Sequence, residues 1–74
     1  MAEYDYSEID KLALSAYKQH KAQFVDWKYG GIKDVDSYFD LIGSLIICVE
    51  YESGVIYRYR WLDDGTLLWS GGSF

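Results

Sequence analysis

The stretch from Ser44 onward leaves little freedom in how it can fold. Aromatic and β-branched residues dominate it and its apolar residues recur with a period of two, the pattern of strands in a half-buried sheet. Two tripeptides interrupt the alternation, Glu52-Ser53-Gly54 and Asp63-Asp64-Gly65. Both end in glycine, as a three-residue hairpin loop with a left-handed last residue requires. Three strands in a meander follow from this. With a three-residue first loop, Tyr51 faces Val55, Val49 faces Tyr57, Ile47 faces Tyr59 and Leu45 faces Trp61, so that one face is wholly apolar or aromatic. The other face carries Glu50 across from Ile56, Cys48 across from Arg58 and Ile46 across from Arg60, and Leu68 joins it from the last strand. A slip of one residue would mix the two sets, which argues for this register.

Glycine also punctuates the chain upstream, since there is no proline. Ser7-Glu8-Ile9-Asp10 resembles a helix capping box and Gly30-Gly31 is a stop signal past Tyr29. Between them Ile9, Leu12, Ala13, Ala16, Tyr17, His20, Phe24 and Trp27 recur at steps of three and four, which places them on one side of a long helix. Asp34 or Asp36 can cap a second, short helix in which Val35, Tyr38, Phe39 and Ile42 repeat that spacing until Gly43 ends it. The expected fold is a single α+β domain over residues 1–74: one long and one short helix packed on one face of a three-stranded antiparallel β-meander, in the order ααβββ. The rings of Tyr57, Tyr59 and Trp61 point inward under the long helix, and Arg58 and Arg60 stand on the bare side.

A chain of 74 residues is near the lower size at which one hydrophobic core holds without staples. Its one cysteine excludes an intrachain disulfide, so three Trp, eight Tyr and three Phe must supply much of the buried area. The acidic start Met1-Ala2-Glu3-Tyr4-Asp5 does not read as a secretory leader, and the longest uncharged apolar run, Leu41 to Val49, falls well short of the ~20 residues of a membrane helix. The expectation is a cytoplasmic protein with no membrane partner. A net charge of −5 makes nucleic acid an improbable partner, because such binding draws on Lys and Arg displacing counterions around phosphate.

Residues that carry chemistry are sparse. His20 sits in the middle of the core stripe and reads as a buried, hydrogen-bonded histidine rather than a general base. Cys48 lies on the sheet face opposite Arg58, away from His20, so the two do not form a nucleophile and base. Asp34, Asp36 and Asp40 lack the glycine and glutamate spacing of a calcium loop, and one histidine with one cysteine does not make a structural zinc site. The pairs Gly30-Gly31 and Gly71-Gly72 lack the lysine and helix start of a phosphate loop. The expectation is a non-enzymatic protein with no cofactor, metal or catalytic residue.

What remains is surface. Asp34, Asp36, Asp40, Asp63 and Asp64, with the N-terminal aromatics Tyr4 and Tyr6, form the expected contact set for a larger protein with a basic site. Ile46, Ile56, Arg58 and Arg60 form a second surface, suited to self-association as a homodimer through the outer sheet face. In size, acidity and aromatic content the chain is similar to small inhibitors made by phages and mobile elements, such as anti-restriction, anti-CRISPR and bacteriocin immunity proteins. That similarity is one of composition without a shared motif; it implies an inhibitor of a host defence or nucleic-acid-handling protein and assigns no residue. Two alternatives accompany it: ligand or single-strand nucleic-acid binding by stacking on Tyr57, Tyr59 and Trp61 beside Arg58 and Arg60, and a small homo-oligomeric structural domain.

Overall fold

A computed structural model describes residues 6–71, with side chains from Glu8 onward. It has one helix, α1 (Tyr6–Lys21), and four strands, β1 (Ile32–Phe39), β2 (Leu45–Tyr51), β3 (Ile56–Trp61) and β4 (Leu67–Gly71). The strands form one antiparallel sheet in the order β1-β2-β3-β4. The fold is thus αββββ and not the expected ααβββ. The three C-terminal strands stand where the alternation puts them; the difference lies in the segment before Ser44.

The second helix is a strand. Residues Asp34 to Phe39 pair with Glu50 to Leu45 of β2, and a register shift falls between Ile32 and Asp34. An apolar spacing of three and four over so few residues is a weak helix signal, and in the strand it puts Val35 and Phe39 on one face and Tyr38 on the other. The decision is made by β2, whose N–H and C=O groups on that side would otherwise lack partners. Asp34 and Asp36 consequently cap no helix. Nor does the long helix reach Tyr29: it ends at Lys21, with Ala22 N donating to Lys18 O and Gln23 N to His20 O before the chain leaves the helical path. Phe24 and Trp27 therefore come from the connecting loop. That loop is tied to the β2–β3 turn, since Gly31 N donates to Glu52 Oε1 at 2.7 Å and Ser53 N to Tyr29 O at 3.1 Å. A tie from outside the helix competes with its continuation, and local spacing does not reveal it.

The expected pairing of β2 with β3 holds at Ile47 with Tyr59, Cys48 with Arg58, Val49 with Tyr57 and Glu50 with Ile56. It sends Ile47, Val49, Tyr51, Tyr57 and Tyr59 to one face, where Ile9, Ala13 and Ala16 of α1 cover them. Alanine at two successive turns lets the helix approach the sheet closely. The helix contacts mainly β1 and β2, which leaves the β4 side of this face less covered.

His20 is buried in that layer. Its Nδ1 lies 2.6 Å from Tyr59 Oη, which in turn lies 2.5 Å from Tyr51 Oη. Rings surround it: Tyr57 at 4.4 Å, Trp69 at 4.5 Å, Trp27 at 5.0 Å and Phe24 at 5.2 Å between centroids. Burial opposes a charge there and lowers the His20 pKa to about 4. The same burial raises those of Tyr51 and Tyr59. Tyr57 is pushed up to about 12, chiefly by its hydrogen bond with Tyr29 and then by burial.

The sign of the stability linkage follows. Between the ordinary histidine value of 6.5 and about 4, the unfolded chain takes up a proton that native His20 refuses. Stability is therefore full above that window and falls as pH is lowered through it, by at most about 3 kcal/mol from this residue. Urea unfolding at pH 7.5 and pH 4.5 measures the loss, and His20→Gln, which does not titrate, will flatten the difference between the two.

Candidate functional site

Side chains on the uncovered face of the sheet follow from the register. Across one row stand Asp36, Cys48, Arg58 and Ser70; across another, Tyr38, Ile46, Arg60 and Leu68. Asp34, Glu50 and Ile56 stand beside the first row, toward the β2–β3 turn. The face is thus polarised, with carboxylates along β1 and guanidinium groups along β3. Among the described residues its one ion pair is Lys33 with Glu50 at 3.7 Å, a surface contact worth at most about 1 kcal/mol. Neither Arg58 nor Arg60 meets a carboxylate there. A groove of about 530 Å³ crosses the face, lined by Tyr38, Ile46, Arg58, Arg60 and Leu68, with Asp40 at its end. Ile46 is nearly buried in its floor, so this face offers less bare apolar surface than the alternation alone suggests.

The expected contact residues divide between two places. Asp34 and Asp36 lie mid-strand on β1. Their Oδ1 atoms accept from Val35 N at 2.9 Å and Ser37 N at 2.8 Å. Asp40, Asp63 and Asp64 lie at one end of the sheet, in the β1–β2 and β3–β4 hairpins. Asp40 Oδ1 accepts from Ile42 N at 3.0 Å and Ser44 N at 2.9 Å. Asp64 Oδ1 accepts from Thr66 N at 2.9 Å, and its hydrogen bonding with Thr66 holds the carboxyl below its usual pKa. Tyr4 and the side chain of Tyr6 lie outside the described residues. Of the self-association set, Ile56, Arg58 and Arg60 share the open face with Ile46. Tyr57 and Tyr59 are buried on the opposite face, which leaves those two rings no base-stacking surface beside the arginines. Among the described residues no three His, Cys, Asp or Glu side chains converge as metal ligands, and no helix is long and apolar enough to cross a membrane.

The β1–β2 turn differs from the other two in its side chains. The three hairpins close alike. In each, the residue before the loop donates its N–H to the carbonyl of the residue after it, and the loop glycine donates to the residue before the loop: Asp40 with Ser44 and Gly43, Tyr51 with Val55 and Gly54, Leu62 with Thr66 and Gly65. All three glycines have positive φ, between 86° and 94°. In two of the loops the central pair is polar, Glu52-Ser53 and Asp63-Asp64. In the third it is Leu41-Ile42, and these side chains stand in water with relative exposures of 106% and 80%. Phe39 beside them is also exposed. The turn does not call for aliphatic residues, since its two sister turns do without them. The signal was present in the sequence, as a third tripeptide ending in glycine, but its apolar composition disguised it as the end of a helix.

No family model, curated protein or solved structure matches the chain.

The hydrogen bonds of Asp40 tie the backbone of the apolar tip at Ile42 and Ser44. Asp40→Ala removes the acceptor for two backbone N–H groups and should lower stability by about 1–2 kcal/mol. Asp64→Ala, which removes one such bond at the sister turn, should cost less. The two urea midpoints, compared with the wild type, measure the difference.

Proposed function

We propose that this protein is a non-catalytic binding module that docks on a larger protein through the β1–β2 hairpin tip and the acidic row beside it. The observation that supports this is the pair Leu41-Ile42, held in water by a turn whose two counterparts in the same chain carry polar residues. Exposed aliphatic side chains on a fixed backbone lose little conformational freedom on binding, so that much of their burial is retained as affinity. Asp34 and Asp36 on the same strand, with Asp63 and Asp64 at the neighbouring tip, favour a partner whose apolar pocket is rimmed by basic groups. Such a module acts as an inhibitor when the pocket it fills is a working site of the partner. That last step rests on the compositional similarity to phage and mobile-element inhibitors alone.

A photo-reactive amino acid placed at position 42, and separately at position 53 in the equivalent turn, tests the assignment in lysate of the cell that encodes the protein. A cross-link to one partner from position 42 and none from position 53 is the expected result. The variant L41E/I42S should keep its stability within about 0.5 kcal/mol, as surface changes do, and should compete poorly for that partner. Equal cross-linking from both turns, or none from position 42, would overturn the proposal.

A further inference from the structure

The two edges of the sheet are unlike. Asp40 N donates to Ser44 O, which sets the phase of β1: its even-numbered residues turn N–H and C=O toward β2, its odd-numbered residues toward solvent. The outward N–H groups of Val35 and Ser37 are taken up by the carboxylates of Asp34 and Asp36. An edge two of whose outward donors are already held, and which carries two negative charges, resists the addition of another strand.

At the other edge Leu62 N donates to Thr66 O, so Leu67, Trp69 and Gly71 turn their N–H and C=O groups away from β3. No side chain meets those groups among the described residues. β4 is Leu67-Leu68-Trp69-Ser70-Gly71, without charge or proline. Leu68 on the open face and Trp69 on the helix face keep relative exposures of 41% and 36%. A strand bare at its edge and half-bare on both faces is an acceptor for an extended chain.

The charges select the occupant. Arg58 pairs with Ser70 and Arg60 with Leu68, and both guanidinium groups lack a carboxylate among the described residues. An added strand would lie ~4.8 Å beyond β4 and thus roughly 10 Å from β3, a span that an arginine and a glutamate side chain close together. A second copy is a poor occupant: pairing β4 with its own equivalent brings four arginines to one face and no carboxylate between them. The β1 edge of a second copy does carry aspartates, but these already hold the outward donors of Val35 and Ser37. We propose that β4 receives an extended acidic segment of a partner protein as a fifth strand, with its alternate carboxylates set against Arg58 and Arg60 and its apolar residues against Trp69.

This site is separate from the hairpin tip and does not depend on it. The test titrates a short synthetic peptide of alternating glutamate and valine into the protein and follows the amide resonances and hydrogen exchange of Leu67, Trp69 and Gly71. Slowed exchange at those amides is expected, with affinity weakened by added salt. A peptide with lysine in place of glutamate, or one N-methylated at the positions that face β4, should bind at least about tenfold more weakly. R58E/R60E should reverse the preference, and R58Q/R60Q serves if the charge reversal fails to fold. L41E/I42S should bind the peptide as the wild type does, which separates this site from the tip. Equal affinity of the N-methylated peptide or of the lysine peptide overturns the proposal, as does failure of the acidic peptide to bind. Protection of the β4 amides that rises with protein concentration, without peptide, assigns the edge to a second copy and overturns it equally.

Discussion

The structure depends on three hairpin loops of the same length, each closed by a glycine in the left-handed conformation. Loop length and type fix which residues of neighbouring strands stand opposite one another, and a slip of one would carry every side chain through the sheet. Because all three loops agree, the apolar and aromatic residues of β2 and β3 reach one face together. Ala13 and Ala16 then let α1 settle on that face. The core is a consequence of the turns, and so is the bare opposite face.

Within the core the aromatic residues do more than fill space. His20, Tyr59 and Tyr51 form a short polar chain through the layer between helix and sheet, enclosed by Tyr57, Trp27 and Trp69. In a domain of this size the hydrophobic area is limited, and rings that bury much surface with few rotatable bonds make good use of it. The polar chain fixes how those rings are placed. It also makes stability depend on His20 staying neutral, which links the packing of the core to pH.

The open face and the two edges carry a pattern of charge in which, among the described residues, a single ion pair forms. Carboxylates line β1, where they occupy the outward backbone donors, and arginines line β3 behind an uncharged β4. The protein is acidic in sum but presents a basic strip at one side. The hairpin tip adds an aliphatic pair where its sister turns place polar residues. Tip and β4 edge lie on different strands of the sheet.

How much of this was legible in the sequence varied along the chain. The alternation after Ser44 and the polar tripeptides ending in Gly54 and Gly65 determined three strands, their register and the side on which Arg58 and Arg60 stand. The stripe from Ile9 to His20 determined the helix and the burial of His20. These are local signals, repeated often enough to leave one solution. The segment from Phe24 to Gly43 was different: its apolar spacing pointed to helix over too few residues to decide, and Leu41-Ile42 concealed a turn whose chemistry elsewhere in the chain is polar. Only the tertiary structure decided it, because the free hydrogen-bonding edge of β2 and the tie between Gly31 and Glu52 act between residues distant in sequence. The same decision moved Asp34 and Asp36 from candidate helix caps to the edge of a sheet and Ile42 from the apolar stripe of a helix to the surface. A residue's role there was set by what the rest of the chain left unpaired.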